Sequence, residues 1–224
     1  KDNYTDESVK ALDGKIAEAE TLLKEEKPSQ EAIDNMTSSL QEAVKALVEV
    51  NLEEVVNIPD KYLVKALANA LGKEGSFTVG DMRKLTELKI SHGVVNLEGL
   101  QYAKNLVKIN GELNEVRDLR PLASLTKLKE VNFREQFVSV GELNPVDGKV
   151  KVNTEAYNRE GKNIVTKVSM INQNGEVVKE QTLDGTTKEV TLDVSDVDPG
   201  YYGVHVAYED SEISGILIYM TGIK

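Results

Sequence analysis

The chain has no cysteine and no tryptophan, only two histidines and five prolines, and aromatic residues make up 5% of it. Without cysteine there is no disulfide, no thiolate metal site and no cysteine nucleophile. His92 and His205 lie far apart and outside any motif, which reads as structural or exposed histidine rather than acid–base machinery. HExxH, GxSxG and a phosphate-binding glycine loop are all missing. No apolar run approaches the roughly 18 residues that a membrane-spanning helix needs, and no basic-then-apolar start reads as a signal peptide. The expectation is mature-like or excised material, with any export signal or wall anchor outside it. Positive charge is in the minority: 27 Lys and Arg against 38 Asp and Glu leave a net charge of −11. That balance argues against a nucleic-acid partner, which needs a basic face, and leaves room for a cationic one.

What the chain does have is a repeat. Leu85-Thr-Glu-Leu88-Lys-Ile90, Leu106-Val-Lys-Ile109-Asn-Gly111 and Leu128-Lys-Glu-Val131-Asn-Phe133 share one apolar spacing, with first positions 21 and 22 residues apart. This is the repeat length of a leucine-rich solenoid with one short strand per turn. Upstream, Val9, Leu12, Ile16, Ala19 and Leu23 form one helical stripe, and Ile33, Met36, Leu40, Ala43, Leu47 and Val50 form another. Thr5 and Ser29 are the expected N-caps, and Pro28 breaks the helical backbone at Lys27. The two stripes predict an antiparallel hairpin that buries little without a third partner. After a linker from Asn51 to Ile58, Asp60 is placed to cap a short helix bearing Leu63, Leu67 and Leu71 and stopped by Gly72. Such a helix would cover the open end of the stack.

From about Val138 the period changes to two. Val150–Val152, Ile164–Met170, Val177–Leu183, Val190–Val194, Tyr202–Tyr208 and Ile213–Tyr219 read as strands. Asn174-Gly175, Asp147-Gly148, Asp184-Gly185 and Asp198-Pro199-Gly200 supply the turns, a spacing that favours a sandwich.

These residues carry three resemblances. Tyr4-Thr5-Asp6-Glu7-Ser8, the Ala-rich helix through Glu25, the Lys-Pro-Ser-Gln-Glu-Ala-Ile turn and Leu40-Gln-Glu-Ala-Val-Lys-Ala-Leu47 look like a FIVAR module. Such helical modules occur in surface proteins and secreted glycan-active enzymes of Gram-positive bacteria, usually with another helix ahead. Ile58-Pro-Asp-Lys-Tyr through Leu85, followed by Val116-Arg-Asp-Leu119-Arg-Pro-Leu122, resembles the cap and repeats of internalin-like leucine-rich repeat proteins. The chain departs from that pattern in three places. Its first turn is one residue short between Ile90 and Leu100, Ser91-His92-Gly93 stands where the family places asparagine, and Gly111 replaces a strand apolar residue; Asn114 keeps the asparagine role. Gly200-Tyr-Tyr202-Gly-Val204 looks like the tyrosine corner of immunoglobulin-like folds, which often follow internalin-like repeats.

The residues between the strand apolar positions should share a concave face: Glu87, Lys89 and Ser91, then Lys108, Asn110 and Glu112, then Glu130, Asn132 and Arg134. Glu87, Lys89, Lys108, Asn110, Glu130, Asn132 and Arg134 are the ligand-binding candidates. None is aromatic, and only Arg134 is a residue type that interface hot spots favour. Asp193, Asp196 and Asp198 carry enough oxygens to be weighed as a calcium cluster, but lack EF-hand spacing and read better as turn caps. Tyr62, Tyr102, Tyr201 and Tyr202 read as packing residues.

The fold class expected is multidomain α and β: a FIVAR-like helical hairpin over 1–52, a short leucine-rich repeat solenoid with helical cap over 58–138, and an immunoglobulin-like β-sandwich over 139–224. The function expected is a non-catalytic cell-surface or secreted segment mediating adhesion, its repeats acting as a binding face or rigid joint. The alternative is an ancillary carbohydrate-binding or spacer region of a large secreted glycan-active enzyme or peptidase. No catalytic residue, cofactor or metal is assigned. The expected partners are a host or matrix protein, or a glycan, with further domains of the same polypeptide, no nucleic acid and no membrane insertion.

Overall fold

The computed structural model describes residues 3–224. The chain divides into two compact units, Lys1–Leu52 and Glu53–Lys224.

In the first unit α1 (Asp6–Leu22) begins at Thr5, whose extended backbone lets its hydroxyl accept from the Ser8 N–H, with Asp6 and Glu7 beside the positive helix end. Ser29 does the same for α2 (Gln30–Lys45), accepting from Ala32 N at 3.1 Å. The helix pair is clasped at its open end, where Thr5 N donates to Val48 O at 2.8 Å and Val50 N to Asn3 O at 2.9 Å. The second helix thus stops before Leu47 and Val50, which the stripe had included; Val50 spends its N–H on the clasp instead. No residue of either helix is fully buried, and Ile16, Ile33 and Leu23 stay 38%, 40% and 80% exposed.

The second unit opens with residues read above as linker. Val56 N donates to Phe77 O and Val79 N to Glu54 O, because Val56 and Phe77 are both buried and their peptide groups need partners. Between these segments lies α3 (Lys61–Leu71), burying Leu63, Ala66 and Leu67 and ending at Gly72 in the left-handed conformation. The one-turn helix α4 (Val79–Met82) follows, closed by a Thr78–Asp81 capping box.

Three parallel strands come next: β1 (Glu87–Lys89), β2 (Lys108–Asn110) and the start of β3 (Glu130–Leu143). Their register sets Leu88 beside Ile109 and Ile109 beside Val131. Each return arc contains a 3-10 turn, Leu100–Tyr102 and Arg120–Leu122, and Leu97, Leu100, Leu106, Leu119, Leu122 and Leu125 fill the interior. The departure at Gly111 has a physical cause. A Cβ on Gly111 would lie 2.2 Å from the ring of Phe133, which is fully buried in the next turn. Phe133 therefore supplies the apolar volume for two turns. Asn114 accepts from Val94 N and donates to the Gly111 and Glu112 carbonyls, satisfying buried backbone between turns. One turn later Gln136 repeats this, accepting from Val116 N at 2.9 Å and donating to Gly111 O and Arg134 O.

β3 does not turn back. It runs on through positions 138 and 139 to Leu143 and pairs in parallel with β9 (Ile213–Ile223). The coil and the strand-rich part thereby share one seven-stranded sheet, ordered β1-β2-β3-β9-β8-β5-β6, with β8 (Gly200–Glu209), β5 (Val165–Ile171) and β6 (Val177–Thr182). A second sheet pairs β4 (Lys149–Asn153) with β7 (Glu189–Asp193). Alternate residues Val150, Val152, Val190, Leu192, Val204 and Val206 are buried, as the period of two requires. The six strands read from the sequence correspond to β4–β9. The Tyr202 hydroxyl donates to Asp198 O at 2.8 Å, tying the turn ahead of β8.

Candidate functional site

The strand register aligns Glu87, Lys108 and Glu130 in one row and Lys89, Asn110 and Asn132 in the next. In the first row Lys108 is paired with Glu130, which leaves the row one net negative charge. Lys108 Nζ is 2.7 Å from Glu130, and hydrogen bonding to Glu130, reinforced by the charges of Glu130 and Glu87, raises the lysine pKa. In the second row Asn110 and Asn132 turn their side-chain oxygens to the N–H groups of Glu112 and Arg134, fixing the strand ends. Arg134 donates from Nη2 to Ser211 O at 3.1 Å, so its guanidinium holds the β8–β9 turn. Ser91 and Glu112 are exposed at the turns. The candidates do share one face, where Lys108 and Glu130 pair with each other, Asn110 and Asn132 each hold a backbone N–H, and Arg134 reaches off it to Ser211.

The other candidates are dispersed. Asp193 accepts from Ser195 N and Oγ, which lowers its pKa, Asp196 pairs with Lys179, and Asp198 offers its backbone carbonyl to Tyr202. No metal-sized group of three or more acidic or histidine ligands occurs among the described residues. His92 Nδ1 sits 2.9 Å from Leu113 O, while His205 is half-buried on β8, and that burial lowers its pKa. Of the tyrosines, Tyr202 packs inside as expected, whereas Tyr201 is 70% exposed and Tyr62, with the Lys61 ammonium 4.9 Å from its ring centre, is 45% exposed.

Sequence reasoning missed the seam between coil and strands. Asp60 was read only as a helix cap. It does accept from Tyr62 N and Leu63 N, but its other oxygen accepts from Val95 N and Asn96 N, joining the cap to the first arc. Burial works to raise its pKa and the four N–H groups outweigh it, leaving the carboxyl lowered. Farther along, Val116 is held at both peptide groups by side chains from other elements: Gln136 takes its N–H and the buried Tyr208 hydroxyl donates to its carbonyl at 2.8 Å. Tyr157 N donates to Arg117 O and Leu119 N to Tyr157 O. Phe133 N donates to Glu212 O, and Glu212 is paired with Arg159.

Beside this seam lies a polar cleft of about 210 Å³ lined by Arg117, Asp118, Arg120, Glu155, Tyr157 and Lys188. Arg120 is bonded to Asp118 through Nε and Nη2, which raises its pKa, and its guanidinium carbon stacks 4.1 Å from the Tyr157 ring centre. Hydrogen bonds from the Tyr157 hydroxyl and from Asn153 lower the pKa of Glu155. Lys188 lies 3.5 Å from Glu155 and is held charged by Tyr157 and Glu155. No sequence signal joins these residues, because they come from three distant segments. A larger cleft of about 660 Å³ opens at the far end of the strands, where Tyr201, Met220 and Pro145 meet the charged groups Glu142 and Lys224.

Comparison with known proteins now adds to this geometry. Residues 144–219, from just before β4 to within β9, match a family model described as a secretion system C-terminal sorting domain. The chain is accordingly an exported one, secreted or held at the cell surface, and no described helix is long and apolar enough to cross a membrane. It is similar at 43% identity to a solved structure of the CBM51-2 domain, in complex with GlcNAc, and INT domains of Clostridium perfringens ZmpB, with a TM-score of 0.86. A second structure of the same ZmpB domains, described without GlcNAc, gives 43% identity and a TM-score of 0.85. Both alignments cover 99% of this chain and 47% of the other, so the chain spans about half the length of the structures it matches. Internalin C2 of Listeria monocytogenes is 30% identical over 37% of this chain and 40% of its own, with a TM-score of 0.34. No curated protein sequence matches.

Proposed function

We propose that this chain is a non-catalytic, ancillary segment of a large secreted glycan-active enzyme or peptidase, which spaces neighbouring modules and contributes affinity for carbohydrate. The observation that carries this reading is the 43% identity, across 99% of the chain, with a ZmpB segment solved together with a carbohydrate-binding module. In the same reading residues 1–52 form a FIVAR-like helical module, 58–138 a capped leucine-rich repeat solenoid, and 139–224 an immunoglobulin-like sandwich. The repeats then act chiefly as a joint. The Lys108–Glu130 pair and the engagement of Arg134 with Ser211 favour scaffolding over recognition on that face. Adhesion to a host or matrix protein through the same face is the competing reading.

Purified fragment screened on glycan and host-protein arrays separates the two. Carbohydrate binding that persists in Lys108→Glu and Arg134→Glu supports the ancillary reading. Protein binding abolished by those two changes, with no glycan retained, overturns it in favour of adhesion.

A further inference from the structure

We propose that the cleft beside the seam is a subsite for an acidic sugar unit, one bearing a carboxylate or a sulfate group. The proposal rests on the ancillary glycan-binding reading and names the place and charge of one ligand.

Three cations, Arg117, Arg120 and Lys188, and two carboxylates, Asp118 and Glu155, line the cleft. The wall therefore carries a local excess of one positive charge in a chain whose net charge is −11. Both carboxylates are already answered. Asp118 is held by Arg120, and Glu155 takes hydrogen bonds from Tyr157 and Asn153 with the Lys188 ammonium alongside. Arg117 is different: among the described residues it has no carboxylate partner, and its guanidinium reaches only neutral groups, a side-chain hydrogen bond to the Tyr219 hydroxyl with the Tyr208 hydroxyl nearby.

A guanidinium with five N–H donors, in a small concavity and with no carboxylate partner, keeps donors to offer a carboxylate or sulfate beyond the one given to Tyr219. The volume, about 210 Å³, falls below the range typical of drug-sized ligands and suits one ring or a charged substituent rather than an extended chain. Tyr157 supplies an aromatic edge, with one face taken by Arg120. The cleft is also built rather than incidental, because the Arg117 carbonyl and the Leu119 N–H are both bonded to Tyr157.

The test titrates the whole chain with glucuronic acid, N-acetylneuraminic acid and a sulfated monosaccharide, following arginine Nε–H and tyrosine ring signals by NMR. Neutral GlcNAc, inorganic sulfate and N-acetyl-aspartate amide serve as comparisons. Saturable shifts at Arg117, Lys188 and Tyr157 with at least one acidic sugar, lost or weakened about tenfold in Arg117→Gln and partly restored in Arg117→Lys, support the subsite. Lys188→Gln, whose side chain is exposed, gives a second variant that leaves the backbone bonds of the seam in place, and it should weaken binding as well. No saturable shift at these residues, or equal binding in Arg117→Gln, overturns the proposal. Sulfate or the aspartate amide binding as tightly as every acidic sugar overturns its assignment to a sugar. Glycan binding on arrays combined with a silent cleft overturns this inference alone and leaves the ancillary reading standing.

Discussion

Adding one methyl group at Gly111 should cost this protein about as much as losing a core leucine side chain. An alanine Cβ there would lie 2.2, 2.6 and 2.9 Å from three atoms of the Phe133 ring. Gly111 does not have the positive φ that would make glycine necessary on conformational grounds, so the effect is purely steric. Neither side can give way cheaply. The ring is fully buried, and the Gly111 backbone is pinned by its own bond to Asn132 O and by donations from Asn114 and Gln136 to its carbonyl. Overpacking of this kind costs about 1–3 kcal/mol, and the pinned backbone puts Gly111→Ala near 3. Phe133→Leu alone should cost about 1–2 kcal/mol through the cavity it opens. Combined, the smaller ring makes room for the methyl group, so the double variant should be more stable than the sum of the singles implies by about 1–2 kcal/mol. Urea unfolding followed by tyrosine fluorescence measures all four corners, since seven of the eight tyrosines lie in the Glu53–Lys224 unit. A Gly111→Ala variant as stable as the parent, or strict additivity in the double variant, would show that the two residues do not share one packing site.

Three further outcomes follow from the seam and the cap. Gln136→Ala strips the buried Val116 N–H of its acceptor and should lower the unfolding free energy by about 2–3 kcal/mol in the same urea assay. Tyr208→Phe removes the buried hydroxyl that donates to Val116 O and should cost about 1–2 kcal/mol, with near-unchanged backbone NMR shifts in the helical unit. Lys73 and Lys84 hold the Asp81 carboxyl far below the ordinary carboxylate range, so the folded chain binds that proton less readily than the unfolded one. The stability it confers is full above about pH 4 and lost as pH falls, so Asp81→Asn should flatten the acid side of a melting-temperature profile.

The elements easiest to read in the sequence were those whose signal is local. Thr5, Ser29 and Asp60 each take a backbone N–H one turn ahead, an interaction set within four residues. The strands β4, β7 and β8 alternate buried with more exposed residues, and a period of two survives in any sheet. The misses depend on contacts far away in the chain. Gln136 stands 22 positions after Asn114 and does the same work, but glutamine is not the residue that marks this position, and the overlap became visible only through Val116. Leu113 and Glu135 carry φ of 57° at equivalent places in the two turns, a left-handed conformation that neither residue type announces. The end of α2 was read too late because Leu47 and Val50 continue the apolar period, while the clasp with Asn3 and Thr5 competes for the same backbone. Of the candidate site, the strand face could be placed from spacing, but its bonding could not. The polar cleft is invisible in sequence, since residues 117–120, 155–157 and 188 meet only after folding.

The seam also bears on how the proposed spacer would work. Rotation of the coil against the strand-rich part would have to break Gln136 to Val116, Tyr208 to Val116, Tyr157 to Arg117 and Leu119 to Tyr157, and would twist β3, which belongs to both parts. Each buried bond lost without replacement costs about 1–3 kcal/mol, so hinge motion here approaches the price of unfolding a small domain. A joint of this kind transmits direction as well as distance. A ligand in the cleft, touching Arg117 on the coil side and Lys188 on the strand side, would add contacts to an angle already set. Its binding should therefore leave the geometry of the Glu53–Lys224 unit unchanged, and a ligand-induced change in its small-angle scattering profile would refute this account of the joint.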